Sequence, residues 1–213
     1  MRHELKYPFV VLEGPSMSGK STASRGMEPR LAGWTRVREP GGTAFGNAVR
    51  EVVQQTEFEK PVEPMAAFMG YSASRAQLVG EIIVPTLEAG GKVMSDRWWY
   101  SSYAYQGGGE GVEHDFIRAV SMKVVKGLVP LTLFFDLAPE IIMERRTGKN
   151  DLDRYDLQTL DFFAKVRKAY RELGETVDHW RVIDASQEPE LVVEDCLEVL
   201  EEYGLLDTLR NNN

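Results

Sequence analysis

The sequence lacks the features that mark secreted and membrane proteins. Cys196 is its only cysteine, so no disulfide can form within the chain, which fits a reducing cytoplasm. No apolar run reaches the roughly eighteen residues that a transmembrane helix needs. Residues 1–8 also lack the apolar segment of a secretory signal. We therefore expect a cytoplasmic protein with no membrane partner.

Basic residues are fewer than acidic residues in this chain. The chain has 25 Lys and Arg against 33 Asp and Glu, a formal net charge of −8. A nucleic-acid-binding surface needs a basic face to neutralise phosphates, so this balance argues against a nucleic-acid partner. Polyanionic substrates would require a local concentration of cations. One segment provides it, with Arg145, Arg146, Lys149 and Arg154 close together.

The most specific motif lies near the N-terminus. Residues 14–21 fill the phosphate-binding template G-x-x-x-x-G-K-[ST], after an apolar run at 9–12 and before a helical pattern. In such a loop backbone N–H groups surround a phosphate, the lysine reaches the β- and γ-phosphates, and the hydroxyl after it ligates Mg²⁺. The motif predicts a site for a nucleoside triphosphate formed by Gly14, Pro15, Ser16, Met17, Ser18, Gly19, Lys20, Ser21 and Thr22.

Strand and helix patterns alternate along the chain, which is typical of an α/β protein with a parallel sheet. Strands are predicted at 9–12, 35–38, 92–95, 131–135 and 181–184. Long helices are predicted at 45–53, 64–87, 157–173 and 190–203, and Gly107-Gly108-Gly109 is expected to interrupt a helical region that ends near 125. A hydrophobic content of 43% allows one large core. We therefore expect a single domain over 1–213, with a mobile lid at about 146–154 and a disordered tail at about 208–213.

The third predicted strand ends in Asp96-Arg97. Ligands of open α/β sheets bind beyond the carboxyl ends of the strands, where an acid can hold Mg²⁺ and an arginine can fork onto a phosphate. The following residues, 98–107, interleave aromatic rings with hydroxyls and an amide. That composition suits a pocket that stacks a base and binds its edge.

Together these segments resemble the thymidylate kinase family of bacterial type. The phosphate loop, R-E-P-G-G at 38–42, S-A-S-R-A-Q at 72–77, D-R followed by S-S-Y-A-Y-Q-G at 96–107, and L-D-R at 152–154 occur in the family's order. The resemblance runs from about residue 9 to residue 200. It implies the three-layer P-loop NTPase fold, with a five-stranded parallel sheet flanked by helices and a short lid.

The resemblance also implies roles for individual residues. Arg97 would clamp the dTMP phosphate, Arg75 would donate to a thymine carbonyl, Tyr71 would stack on the ring, and Tyr105 would crowd the sugar 2′ position. The implied substrate-binding set is Glu39, Pro40, Arg50, Tyr71, Arg75, Arg97, Ser101, Ser102, Tyr105 and Gln106. Ala185 and Gln187 match an adenine-contacting loop, and Ser21 and Asp96 are the metal ligands. Lys20, Arg97, Arg145 and Lys149 form the catalytic set, and relatives in this family are homodimers.

Three positions depart from the family pattern. Ser16-Met17 stands where an acid and a glycine are usual, which predicts weaker binding of dTMP than in relatives. Trp98 replaces a common Tyr or His. Lys149 stands at the lid position that often supplies an arginine, and lysine cannot fork across transferring oxygens.

The expected reaction is transfer of the ATP γ-phosphoryl group to dTMP with Mg²⁺, giving dTDP. One alternative is a kinase of broader specificity that also accepts dUMP or another deoxynucleoside monophosphate. A P-loop ATPase or GTPase acting on a protein is disfavoured, since the base-reading N-K-x-D of GTPases is absent. A regulatory pseudo-kinase is disfavoured because Lys20, Ser21, Asp96 and Arg97 are all retained.

Overall fold

The structure is a computed structural model, and it describes residues 5–54, 58–150 and 152–206. Five strands form one sheet in the order β2-β3-β1-β4-β5, with every neighbouring pair parallel. They are β1 Phe9–Glu13, β2 Trp34–Arg38, β3 Lys92–Asp96, β4 Leu131–Asp136 and β5 Trp180–Asp184. The predicted five-stranded parallel sheet is confirmed. The predicted tail at 208–213 lies outside the described residues.

The helices flank this sheet. Those of the described chain are α1 Lys20–Met27, α2 Ala44–Gln54, α3 Pro64–Leu78, α4 Val84–Glu88, α5 Trp99–Ser102, α6 His114–Val124, α7 Pro139–Arg146, α8 Leu160–Gly174 and α9 Pro189–Glu202. α1 packs against α9, whereas α3, α5 and α6 pack among themselves and α5 contacts α8. No helix in the described ranges is long and apolar enough to cross a bilayer.

The central strand explains where the site lies. β1 is buried along its whole length, as expected for a strand covered on both faces. Its neighbour β3 is in register with it, Leu12 lying opposite Asp96. In the next pair Arg38 at the end of β2 lies opposite Asp96. The carboxyl ends of β1, β2 and β3 therefore meet at one edge, and charged side chains gather there.

Two helical regions differ from the prediction. The predicted helix at 64–87 is continuous but contains a π-helical turn, Val79–Ile83, between α3 and α4. The helical region is interrupted as expected, but just after Gly107-Gly108-Gly109: these residues complete a second π-helical segment, Tyr103–Gly109, and the next helix, α6, begins at His114.

Close packing against α8 accounts for these glycines. A Cβ on Gly108 would lie 2.6 Å from Ala169 Cβ and 3.1 Å from the Lys165 carbonyl oxygen, and one on Gly109 would lie 2.4 Å from Phe162 Cε2. The glycines thus allow two helical segments to approach closely at the point where one of them ends.

The connection between α7 and α8 is longer than the predicted lid at 146–154. α7 ends at Arg146, and α8 begins at Leu160 because Thr159 caps it, its side chain accepting a hydrogen bond from Phe162 N at 3.2 Å. The connection therefore spans 147–159, of which residue 151 is not described.

Gly108→Ala is expected to lower the free energy of unfolding by about 1–3 kcal/mol, since overpacking a tight contact forces backbone shifts. Gly80→Ala is the matched control. Its Cβ would meet only Lys126 Nζ at 3.7 Å, so it should be neutral or slightly stabilising. Urea unfolding of both variants tests this, and equal midpoints would contradict the packing role of Gly108.

Candidate active site

The phosphate loop connects the end of β1 to the start of α1. Gly14 adopts φ 143, and a Cβ there would lie 2.6 Å from the Phe135 carbonyl oxygen, so only glycine fits. Lys20 is buried and folds back into the loop. Its Nζ donates to the carbonyl oxygens of Gly14 at 3.1 Å and Pro15 at 2.8 Å. The loop thus has the lysine and the turn geometry that the motif predicts.

The surroundings of Lys20 disfavour the charged form of its amine. Burial lowers the pKa of this amine to about 7, and the neighbouring Arg97 acts in the same direction, while Asp96 and Glu13 oppose it. A phosphate placed against Nζ would restore the charged form, because an opposite charge nearby raises the pKa of an amine.

A large cavity opens beside this loop. Arg145 and Lys149 reach it from α7 and the following connection, and Arg50 reaches it from α2. Most of the predicted ATP-binding residues line it, together with Asp96 and Arg97: Ser16, Met17, Ser18, Gly19, Lys20, Ser21, Thr22, Ala185 and Gln187. Gly14 and Pro15 contribute carbonyl oxygens to Lys20 instead. The structure therefore brings the predicted triphosphate residues together.

A small cavity adjoins the large one. It is lined by every predicted substrate-binding residue except Arg50: Glu39, Pro40, Tyr71, Arg75, Arg97, Ser101, Ser102, Tyr105 and Gln106. Arg50 is half-buried behind it, with one guanidinium nitrogen donating to the Pro40 carbonyl oxygen at 3.1 Å. The predicted residues that line this cavity thus come from three separate segments of the chain, 39–40, 71–75 and 97–106.

Arg75 and Glu39 form a buried ion pair in this wall. Arg75 Nε lies 2.5 Å from Glu39 Oε2, and both side chains are 3% exposed. The second terminal nitrogen of Arg75 donates to Trp98 O at 3.3 Å and Ser102 Oγ at 3.4 Å. Burial raises the pKa of Glu39 to about 7, although Arg75 opposes this. Arg75 Nη1 and Glu39 Oε1 are buried and have no hydrogen-bond partner among the described residues.

Arg97 lies where the two cavities meet and lines both. Its Nη1 donates to the Gly14 carbonyl oxygen at 3.1 Å and to Ser101 Oγ at 3.0 Å, and its guanidinium lies 5.4 Å from the centre of the Tyr105 ring. Its backbone has φ 76, an uncommon conformation for a residue with a side chain. A cation held at this junction can contact phosphates on both sides.

Ser21 and Asp96 are the residues suited to a divalent cation. Both line the large cavity, and Asp96 Oδ1 is buried without a partner among the described residues. The described ranges contain no group of three or more His, Cys, Asp or Glu side chains that would hold a metal without other ligands. Two protein oxygens completed by phosphate and water are the usual arrangement for Mg²⁺, so these residues fit that ion.

The two predicted lid cations differ in their surroundings. Arg145 bridges two backbone segments, donating to Met17 O at 3.1 Å and to Ala185 O at 3.0 Å. Lys149 is exposed and lines the large cavity. Arg145 is therefore held by the loops on either side of the cavity, whereas the Lys149 amine is the cation placed to approach a phosphate there.

Glu13 is a site residue that the sequence interpretation missed. It is fully buried at the end of β1 and accepts four hydrogen bonds: from Trp98 N at 2.6 Å, Ser101 N at 3.2 Å, Ser101 Oγ at 2.7 Å and Tyr170 OH at 2.8 Å. Burial raises its pKa, and the charge of Arg97 opposes this. An acid directly after an apolar strand and before the phosphate loop was the available signal.

Asp156 is a second residue that was missed. It is 8% exposed, lines the large cavity, and accepts a hydrogen bond from Ser16 Oγ. Ser16 N in turn donates to the Tyr105 hydroxyl at 2.7 Å. The phosphate loop has no acid of its own, but the 147–159 connection brings one to it. Only long-range packing places Asp156 there, so no local motif could reveal it.

Comparison with known proteins agrees with this geometry. The family model described as "Thymidylate kinase" matches residues 12–196. A thymidylate kinase of Deinococcus radiodurans is 42% identical over 87% of this chain and 93% of its own length. A thymidylate kinase of Carboxydothermus hydrogenoformans is 37% identical over 85% of this chain and 91% of its own length. One of Pseudoalteromonas translucida is 36% identical over 93% of this chain and 98% of its own length. The chain belongs to the thymidylate kinase family.

Proposed function

We propose that this chain transfers the γ-phosphoryl group of ATP to dTMP, giving dTDP and ADP, as a single domain over 1–213 with a lid at the 147–159 connection. The observation that carries the proposal is the pair of joined cavities. One is lined by a phosphate loop, the other by base-sized walls with unpaired polar atoms, and Arg97 lies at their junction. The thymine base is taken from the relatives' names.

Positioning and charge supply the catalysis in such a transfer, and no covalent enzyme intermediate is required. Lys20 and the loop amides hold the donor phosphates, and Arg97 holds the acceptor phosphate through its free guanidinium nitrogens. Lys149 approaches the transferring group, while Arg145 fixes the loops on either side of the donor. Ala185 and Gln187 lie beside the adenine.

Mg²⁺ bound at Ser21 and Asp96 would neutralise charge on the phosphate oxygens. The buried, unpaired Asp96 Oδ1 supports this assignment. Ser21 follows Lys20 at the start of α1, so the hydroxyl lies on the same side of the loop as the phosphates.

The end of the small cavity that would hold the base is formed by Tyr71, Arg75, Ser102 and Gln106. Arg75 Nη1 is an unpaired donor for a base carbonyl, and leaving it unpaired is costly. Tyr71 offers a ring that is 8% exposed. Glu39, Pro40, Arg50 and Ser101 complete the wall, and Tyr105 stands beside Ser16 toward the sugar.

A homodimer formed through α2, α3 and α6 is part of the proposal. These helices expose large apolar side chains: Phe45 (52%), Val52 (56%), Met65 (41%), Met69 (49%), Phe116 (39%) and Met122 (45%). Since α3 packs against both α2 and α6, these side chains lie on neighbouring helices, and a large exposed apolar surface is typical of an interface. The buried free Cys196 suits a reducing cytoplasm, and the net charge of −8 disfavours nucleic acid.

A substrate panel tests the function directly. With ATP and Mg²⁺, turnover should be highest with dTMP. It should be lower with dUMP, which lacks one methyl group worth about 1–3 kcal/mol, and poor with dCMP and UMP. ADP release measured against each acceptor gives the ranking. Acceptor-independent ADP release would contradict the proposal.

Lys20 predicts proton uptake when ATP binds. Because the pKa of the Lys20 amine is about 7, a large share of these side chains is neutral near pH 7.5, and phosphate binding should recharge them with net proton uptake. Uptake should vanish near pH 5.5, where the amine is already charged. Titration calorimetry in buffers of different ionisation enthalpy measures it. Lys20→Arg keeps the charge without titrating, so equal uptake by that variant would refute the assignment.

The Ser16–Asp156 hydrogen bond predicts that an acid placed at position 16 would be repelled by Asp156. Ser16→Asp should place two carboxylates together and raise the KM for dTMP about tenfold, because the connection can no longer close on the loop. Adding Asp156→Asn should recover most of the loss. Steady-state kinetics of both single variants and the double variant test this coupling, and purely additive losses would argue against it.

A further inference from the structure

The side-chain amide of Gln106 is held from one side. Gln106 lies in the π-helical segment Tyr103–Gly109, is 2% exposed, and lines the small cavity. Its amide nitrogen donates to the Tyr155 hydroxyl at 2.6 Å. No described residue donates to its carbonyl oxygen. The amide nitrogen is therefore engaged by the 147–159 connection, and the amide oxygen is left to accept a hydrogen bond from a group in the cavity.

Tyr155 can only accept from that amide. Its hydroxyl also receives a hydrogen bond from Arg154 Nη2 at 2.7 Å, and it donates its proton to Glu110 Oε2 at 3.2 Å. Burial raises its pKa above the ordinary value, so the proton stays in place. A hydroxyl has one donor and two acceptor sites, and all three are used. The orientation of the Gln106 amide is thereby determined.

The ring of Tyr155 is itself held firmly. It packs edge-on against Tyr105, with centroids 5.1 Å apart at 82°, and lies 6.2 Å from Phe162 in a stacked arrangement. Arg154, which bonds the hydroxyl, forms an ion pair with Glu110 at 2.6 Å. The connection between α7 and α8 thus presents a rigid acceptor to Gln106.

The opposite wall supplies the complementary group. Arg75 Nη1 is a buried donor with no partner in the described part of the chain. The small cavity therefore offers one donor and one acceptor to a base edge. A carbonyl beside a ring N–H, as in thymine or uracil, matches both. An amino group beside an unprotonated ring nitrogen, as in cytosine, matches neither.

We propose that Tyr155 is a specificity-determining positioning residue, which turns the Gln106 amide so that its carbonyl oxygen meets the ring N–H of the acceptor base. This rests on the proposed function, because the edge is read only when a base occupies the small cavity. It also means that the base reading is complete only when the 147–159 connection is folded against the cavity, so closure and selection are coupled.

The test is Tyr155→Phe, which removes only the hydroxyl, assayed as kcat/KM with dTMP, dUMP and dCMP. The dTMP:dCMP ratio should fall about fivefold or more, through loss of one orienting hydrogen bond. The dTMP:dUMP ratio should not change, because those bases share the same edge. Tyr100→Phe is the matched control, since Tyr100 is buried but lines neither cavity, and both ratios should be unchanged in it.

A double-variant cycle separates positioning from general damage. In a Gln106→Leu background, Tyr155→Phe should have no further effect on the dTMP:dCMP ratio. Glu110→Gln weakens the acceptor that takes the Tyr155 proton, so it should loosen the orientation of the amide and shift the ratio in the same direction, which keeps the test available if Tyr155→Phe folds poorly. An unchanged ratio in both folded variants, or additive effects with Gln106→Leu, would overturn the proposal. A wild-type chain without dTMP turnover would instead overturn the proposed function, and this inference with it.

Discussion

The buried carboxylate of Glu13 is the interaction on which the arrangement depends. A charge at the end of a fully covered strand is costly unless it is paired and hydrogen-bonded, and four donors from outside β1 satisfy it. Two of them are backbone N–H groups that follow β3, and another comes from Tyr170 on α8. The same carboxylate therefore sets the position of the turn after Asp96, and with it the direction of Arg97.

Two cavities follow from that arrangement. The phosphate loop follows the central strand on one side of Arg97. On the other side, the segment after β3 forms a wall of the small cavity. Arg97 contacts the loop through Gly14 O and the wall through Ser101 Oγ, so one side chain spans the donor and acceptor regions. The connection between α7 and α8 then covers both, with Asp156 on the loop and Tyr155 on the wall. This connection therefore contacts the phosphate loop and the wall of the small cavity together.

Much of this could be predicted because the relevant signals are local. The phosphate loop requires glycines and a lysine at set spacing, and strand ends locate Asp96 and Arg97 at the sheet edge. The glycines at 107–109 predicted the interruption of the helical region, but not their close approach to α8, since nothing in their own segment shows the partner. Tyr155 and Asp156 were missed because an isolated acid or ring indicates no function until the residues around it are known. Glu13 was missed although its place between an apolar strand and the phosphate loop was a signal.

The sequence by itself determined the α/β alternation, the phosphate loop, and which segments supply most of the two walls, since these follow from periodicity and from motif chemistry. The tertiary structure alone decided which polar atoms are left unpaired and which way the side chains face. Arg75 Nη1 is free because Glu39 and Ser102 occupy its other nitrogens, and the Gln106 oxygen is free because Tyr155 holds its nitrogen. Hydrogen-bond directions of this kind depend on partners tens of residues away, which only packing brings within reach.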